Sequence, residues 1–104
     1  MKELTEDLDV LVRSIPILLL QFGEDTCGPC HAIRFKLDRW LEKHAEITAR
    51  YVDIGKHLVV CSQNAIFSAP TVIVYMDGQM IVKESGYFSL DAILDRIEHY
   101  LQLR

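Results

Sequence analysis

The chain has 104 residues, a length that suits one domain with one hydrophobic core. Hydrophobic residues make up 50% and charged residues 25%, so the composition is that of a globular protein rather than a disordered or membrane-embedded one. The formal net charge is −4 and no Lys/Arg cluster is present, so we expect no nucleic-acid partner.

The N-terminal region lacks the features of a secretory signal. Acidic residues recur between positions 3 and 9, where a signal peptide would be basic. The apolar run at 15–20 is far shorter than the roughly 20 residues that a membrane span needs. We therefore expect a cytoplasmic protein without a membrane partner. In a reducing compartment, a close cysteine pair is more often catalytic or metal-binding than structural.

In chain order, hydrophobic periodicity and turn residues predict helix, strand, helix, strand, helix, strand, strand and helix. The approximate bounds of these elements are 4–14, 16–22, 29–44, 47–54, 58–66, 70–76, 79–85 and 90–101. Asp25 or Thr26 is expected to cap the second helix and Ser89 the last one. The Asp-Gly pair at 77–78 predicts a hairpin. No linker or repeat is visible, so residues 1–104 are interpreted as a single domain.

This order predicts an α/β fold. The alternating first half favours parallel strands joined by crossover helices, and the terminal hairpin and helix add an antiparallel edge. We expect a mixed sheet of about four strands with helices on both faces.

Residues 26–31, with the sequence TCGPCH, are compatible with three kinds of site. A c-type haem attachment would need export and a second axial ligand, and no export signal is visible. A zinc site would need Cys61 and a histidine beside Cys27 and Cys30, but a second Cys-x-x-Cys is absent and the neighbours of Cys61 are apolar. A redox dithiol needs only the pair itself, placed where a buried strand leads into an amphipathic helix. A helix N-terminus favours the thiolate form of its first cysteine, and a second cysteine one turn on can resolve a mixed disulfide.

The CGPC motif after a buried strand, followed some 40 residues later by Ala-Pro-Thr, resembles the thioredoxin family. The similarity extends over about residues 17–101. It implies a thioredoxin fold, in which the first edge strand of this chain is truncated or missing. It also implies that Cys27 is the exposed nucleophile, that Cys30 is the buried resolving thiol, and that Pro70 is a cis-proline beside the disulfide. Ala69 would then offer backbone hydrogen bonds to an extended substrate.

The chain departs from the family pattern around the cysteines. Gln21 stands where the family has a buried aspartate, Tyr51 where a lysine usually pairs with it, and Thr26 and Gly23 where tryptophans are usual. A glutamine cannot titrate, so we interpret Gln21 as a partner for neighbouring backbone. The alternative is that the resolving cysteine loses its proton to water or to another group, such as Glu24.

The remaining candidates have simpler interpretations. His31 is interpreted as a solvated residue of the first helical turn, Trp40 as core and Cys61 as a buried small hydrophobe. Asp25 is expected to cap a helix or face water.

The resemblance implies a thiol–disulfide oxidoreductase that reduces protein disulfides without metal or organic cofactor. The site residues it assigns are Cys27 and Cys30, supported by Gly28, Pro29, Ala69, Pro70, Gln21 and Thr26. The Gly-Pro dipeptide matches the reducing members of the family. The expected partners are disulfide-containing proteins and an electron donor of the thioredoxin reductase type. The alternative is a thioredoxin-fold binding or adaptor module with weak or no turnover, which the departures at Gln21, Thr26 and Gly23 suggest.

Overall fold

The computed structural model describes residues 1–104, which form a five-stranded mixed sheet and four α-helices. The strands are β1 (Lys2–Glu3), β2 (Ile17–Gly23), β3 (Thr48–Asp53), β4 (Thr71–Met76) and β5 (Gln79–Ser85). The helices are α1 (Leu8–Ser14), α2 (Gly28–Leu41), α3 (Leu58–Gln63) and α4 (Leu90–Leu103), with a short 3₁₀ turn at Ile54–Lys56. The strand order is β1-β3-β2-β4-β5. The pairs β1–β3 and β2–β3 are parallel, whereas β2–β4 and β4–β5 are antiparallel.

The α/β class and the mixed sheet were predicted correctly, but the sheet has five strands where about four were expected. The additional strand is β1, in which Lys2 and Glu3 pair with Arg50 and Tyr51 of β3. Two exposed residues are too few to create an alternating pattern, so the sequence carried no signal for this strand. It is the truncated first edge strand that the family resemblance allowed.

The first helix begins at Leu8, four residues later than its apolar spacing suggested. The Asp7 carboxylate accepts a hydrogen bond from Val10 N–H (3.3 Å) and caps the helix there. Leu4, which seemed to extend the helical stripe, instead belongs to the extended segment after β1. Its N–H donates to the carbonyl of Tyr51 (2.8 Å), and its side chain is buried.

Strand β2 is the centre of the molecule, and every one of its residues is buried. Leu18, Leu20 and Phe22 pack with buried residues of α1 and α3 on one face of the sheet. Ile17 and Leu19 pack with buried residues of α2 and α4 on the other. The polar exception is Gln21, which lies two residues beyond Leu19 and therefore on the same face of the sheet as α2. None of the helices is long and apolar enough to cross a membrane.

Helix α4 begins at the serine that the sequence indicated. The Ser89 hydroxyl accepts a hydrogen bond from Ala92 N–H (3.2 Å), which would otherwise lack a partner in the helix. We expect Ser89→Ala to lower the free energy of unfolding by about 1 kcal/mol, measured by urea denaturation. Ser14→Ala is the control, because that exposed hydroxyl donates to a helix carbonyl and caps no N–H. An equal loss in both variants would contradict the capping role.

Candidate active site

The two cysteines of the CGPC motif lie where β2 leads into α2. Cys27 itself is the N-cap of α2: its backbone is extended, and its Sγ accepts a hydrogen bond from Cys30 N–H (3.2 Å). The expectation that Asp25 or Thr26 would cap this helix is wrong. Both residues fall in the turn before it, which Cys27 N–H closes by donating to the carbonyl of Glu24 (3.1 Å).

The sulfurs of Cys27 and Cys30 are joined in a disulfide, with 5.3 Å between the two Cα atoms. The two residues differ sharply in exposure: Cys30 is 0% exposed, whereas Cys27 is partly open to solvent. Gly28 and Pro29 between them are exposed in the first turn of α2. A partner arriving from solvent therefore meets Cys27 first, at a helix N-terminus whose positive potential would stabilise a thiolate.

A groove of about 420 Å³ opens beside Cys27. It brings together most of the residues that the resemblance assigned, and the Ala69–Pro70 bond is cis as the resemblance implied. The lining residues are Glu24, Thr26, Cys27, Gly28, Pro29, Ala69, Pro70, Gly86 and Tyr87. The backbone N–H and C=O of Ala69 make no hydrogen bond within the chain, so both are free for a bound segment. Gln21 lies outside this groove, buried beneath the pair.

Sequence reasoning missed Tyr87, whose side chain is fully exposed on the wall of this groove. It follows Gly86, which takes a positive φ of 77° where β5 ends. No motif or periodicity marks an exposed tyrosine in such a loop. The only signal available was its position directly after the glycine that ends the strand.

Gln21 contacts the resolving cysteine directly. Its Nε2 donates a hydrogen bond to the carbonyl of Cys30 (2.8 Å), and the whole residue is 0% exposed. The interpretation of Gln21 as a partner for neighbouring backbone is therefore confirmed for its NH₂ group. Its Oε1, in contrast, is buried without any hydrogen-bond partner.

Tyr51 occupies the space beside the pair that Gly23 leaves open. A Cβ added at Gly23 would collide with the Tyr51 hydroxyl and would lie 3.1 Å from Cβ of Cys30. The Arg34 guanidinium lies over the Tyr51 ring, with Cζ 4.2 Å from its centroid. Burial raises the pKa of Tyr51, although the charge of Arg34 opposes that shift in part, so the phenol is neutral at physiological pH. The sequence identified the departures at Gly23 and Tyr51 separately, but not that the Tyr51 hydroxyl fills the space where a side chain at position 23 would lie.

Two further side chains lie where they were expected. His31 is exposed in the first turn of α2, with Nε2 2.8 Å from the carbonyl of Asp25. Trp40 packs against the core between α2 and α4. Its indole N–H donates to Glu98 (3.1 Å), and its ring stacks on His44 with 3.8 Å between centroids.

Cys61 is buried among the apolar residues between the sheet and α1 and α3, on the face opposite Gln21. The zinc hypothesis therefore gains no support: no group of three or more His, Cys, Asp or Glu side chains is placed to hold a metal ion.

The buried environment of Cys61 predicts low reactivity. Burial, and then the nearby charge of Asp53, raises the pKa of this thiol, so less of it is thiolate at neutral pH. We expect iodoacetamide to alkylate Cys61 at least about tenfold more slowly than Cys27 in the reduced protein. Peptide mass spectrometry over a time course measures both rates. The difference should vanish in urea, and equal rates in the folded protein would contradict the burial argument.

Comparison with known proteins agrees with this geometry. The thioredoxin family model matches residues 2–99. The thioredoxin Asp f 28 of Aspergillus fumigatus is 33% identical over 73 residues, which cover 70% of this chain and 67% of the relative. Thioredoxin 1 of Synechococcus elongatus is 27% identical over 94 residues, which cover 89% of this chain and 87% of that relative. Among solved structures, Plasmodium falciparum thioredoxin gives a TM-score of 0.83 at 24% identity, covering 96% of this chain and 99% of that one. Mitochondrial thioredoxin 3 of Saccharomyces cerevisiae gives a TM-score of 0.84 at 21% identity, covering 95% of this chain and 94% of that one.

Proposed function

Because the chain belongs to the thioredoxin family and is a thiol–disulfide oxidoreductase, we propose that it is a cytoplasmic reductant of protein disulfides, acting as one domain over residues 1–104. The observation that carries this proposal is the unequal exposure of the pair. Cys27 caps a helix at the edge of a groove, whereas Cys30 is completely buried behind it. One sulfur is thereby available for attack on a substrate, and the other for resolution.

In the proposed cycle, the Cys27 thiolate attacks one sulfur of a substrate disulfide. A Cys27–substrate bond forms, and the other substrate sulfur leaves as a thiolate and takes up a proton. Cys30 then loses its proton and attacks the Cys27 sulfur, which releases the second substrate thiol and forms the Cys27–Cys30 disulfide. A donor dithiol returns two electrons and two protons, and is itself oxidised to a disulfide.

The groove is proposed to hold an extended substrate segment beside Cys27. The free N–H and C=O of Ala69 would pair with its backbone, in the manner of an added strand, so recognition would tolerate many sequences. Pro70, Thr26 and the exposed ring of Tyr87 would contact its side chains. Gly28 and Pro29 would keep the approach to Cys27 open in the first turn of α2.

The proposed partners are disulfide-containing proteins and an electron donor of the thioredoxin reductase type. One similar chain, with a TM-score of 0.85 at 20% identity, belongs to a structure that concerns the thiol resolving mechanism of yeast mitochondrial 1-Cys peroxiredoxin via the glutathione and thioredoxin systems. A disulfide held by a peroxiredoxin-type protein is therefore a reasonable first substrate to assay.

Insulin reduction in the presence of dithiothreitol tests the proposal. We expect the wild-type protein to accelerate the reaction, and Cys27→Ser to return it to the background rate. Cys61→Ser is the matched control, because it makes the same chemical change at a buried cysteine outside the pair and should retain activity. Wild-type activity at background would instead favour the adaptor module. A measured potential above about −200 mV would contradict the reductant assignment.

A further inference from the structure

The buried amide of Gln21 is only half satisfied. Its orientation follows from its one hydrogen bond: the Cys30 carbonyl can only accept, so the NH₂ group must face it, at 2.8 Å. Oε1 is then directed away from that carbonyl and has no partner, although it is completely buried. A buried carbonyl oxygen without a donor is destabilising, and most such groups in native proteins are paired.

Few groups near Gln21 could donate a hydrogen bond to this oxygen. Its neighbours across the sheet are Tyr51 on β3 and Val72 on β4. Val72 has no polar side-chain atom, and the Tyr51 hydroxyl extends toward Gly23 without bonding to Oε1. On the helix side, the sulfur of Cys30 carries no hydrogen while it is part of the disulfide, so it cannot donate a hydrogen bond. Reduction changes this, because a thiol S–H is a donor.

We propose that Oε1 of Gln21 accepts a hydrogen bond from the Cys30 thiol in the reduced protein, so that Gln21 is a positioning residue that favours the dithiol state. The inference rests on the oxidoreductase cycle proposed above. When a donor dithiol cleaves the Cys27–Cys30 bond with two electrons and two protons, one proton stays on Cys30 Sγ and is directed at Oε1. In the resolving step the amide cannot take that proton. It passes to water or to the leaving substrate thiolate as Cys30 attacks.

The redox equilibrium with dithiothreitol isolates the contribution of Oε1. The hydrogen bond from Nε2 to the Cys30 carbonyl involves no sulfur, so it is present in both the oxidised and the reduced protein. Its loss therefore destabilises both states equally and does not change the equilibrium constant for reduction. Gln21→Leu and Gln21→Met remove the unpaired oxygen from the disulfide form and the acceptor from the dithiol form. We expect both to lower the equilibrium constant for reduction about tenfold, equivalent to a potential about 30 mV more negative. Unchanged constants in both variants would overturn the proposal.

Tyr51→Phe is the matched control, since it removes the hydroxyl of the residue that pairs with Gln21 across the sheet and keeps the ring. It should leave the equilibrium constant within about twofold of the wild-type value. If instead it reproduced the effect of Gln21→Leu, the phenol would be the partner of Oε1 and the proposal would fail. The equilibrium needs no protein substrate. If the wild-type protein did not reduce insulin but the Gln21 variants still had a lower equilibrium constant for reduction, the reductase assignment would be refuted and the Cys30–Gln21 hydrogen bond would not.

A spectroscopic measurement tests the same bond without altering Gln21. In the Cys27→Ser/Cys61→Ser protein, Cys30 is the only thiol, and its S–H stretching band is observed by Raman spectroscopy. We expect the band at lower frequency in the folded protein than for an alkanethiol in an apolar solvent, where the thiol has no acceptor, because donating a hydrogen bond weakens the S–H bond. Identical frequencies would overturn the proposal even if every Gln21 variant failed to fold.

Discussion

Replacing Cys30 by serine is expected to abolish turnover and to leave Cys27 joined to its substrate in a stable mixed disulfide. Cys30 is the only other sulfur near Cys27, because Cys61 is buried on the opposite face of the sheet. A serine hydroxyl cannot displace a thiol from a disulfide, so the first half of the cycle would run and the second would stop. Steady-state activity should fall to the uncatalysed background.

Non-reducing electrophoresis and intact-mass spectrometry measure this outcome with a disulfide-containing protein as the substrate. One adduct per chain is expected, and dithiothreitol should release it. Cys27→Ser/Cys30→Ser is the control, which should capture nothing and so excludes adducts through Cys61. A Cys30→Ser protein that forms no adduct, or that keeps its activity, would contradict the assignment of Cys27 as nucleophile and Cys30 as resolving thiol.

Gly23→Ala is expected to lower the free energy of unfolding by about 1–3 kcal/mol, although it adds a single methyl group. The new Cβ would overlap the Tyr51 hydroxyl and press on Cβ of Cys30. Tyr51 cannot retreat easily, because its ring is buried and Arg34 covers one of its faces. Urea denaturation of the oxidised protein measures the change.

Two comparisons identify the cause of that loss. Gly28→Ala makes the same change in the first turn of α2, where a Cβ would meet nothing within 4 Å, so its effect should stay within about 0.5 kcal/mol. In a Tyr51→Leu background the hydroxyl is absent, and Gly23→Ala should cost at least about 1 kcal/mol less than in the wild-type. An undiminished loss in that background would mean that contact with Tyr51 is not responsible.

The elements that the sequence predicted best are those whose ends are marked by turn or capping residues. Strand β5 (Gln79–Ser85) has the predicted bounds, because the Asp-Gly turn and Gly86 delimit it. Helix α4 begins after Ser89 because capping is a local interaction. Strand β1 was not predicted, since its two residues pair through backbone alone and leave no periodicity in side-chain polarity. The last turn of α2 was overextended: apolar spacing continued to about residue 44, whereas the helix ends at Leu41.

In the site, local sequence identified the pair and the family pattern located Pro70, but neither could describe contacts across strands. Gln21 and Tyr51 are 30 positions apart and become neighbours only through the register of β2 and β3. The unpaired oxygen of Gln21 depends on which way its amide faces, and no sequence pattern encodes that orientation. Cys27 as the helix cap was missed because cysteine is not among the usual capping residues, although its sulfur accepts the same N–H.

The position of Trp40 has a consequence for optical experiments on this protein. It is the only tryptophan, and it lies near the end of α2 opposite the disulfide, 12 residues from Gly28 and hence about 18 Å along the helix axis. Its contacts are with α4 and His44, so its emission reports whether the two helices remain packed. Tryptophan fluorescence should therefore report unfolding in both the oxidised and the reduced protein. Reduction of the disulfide should leave the emission spectrum of the folded protein almost unchanged.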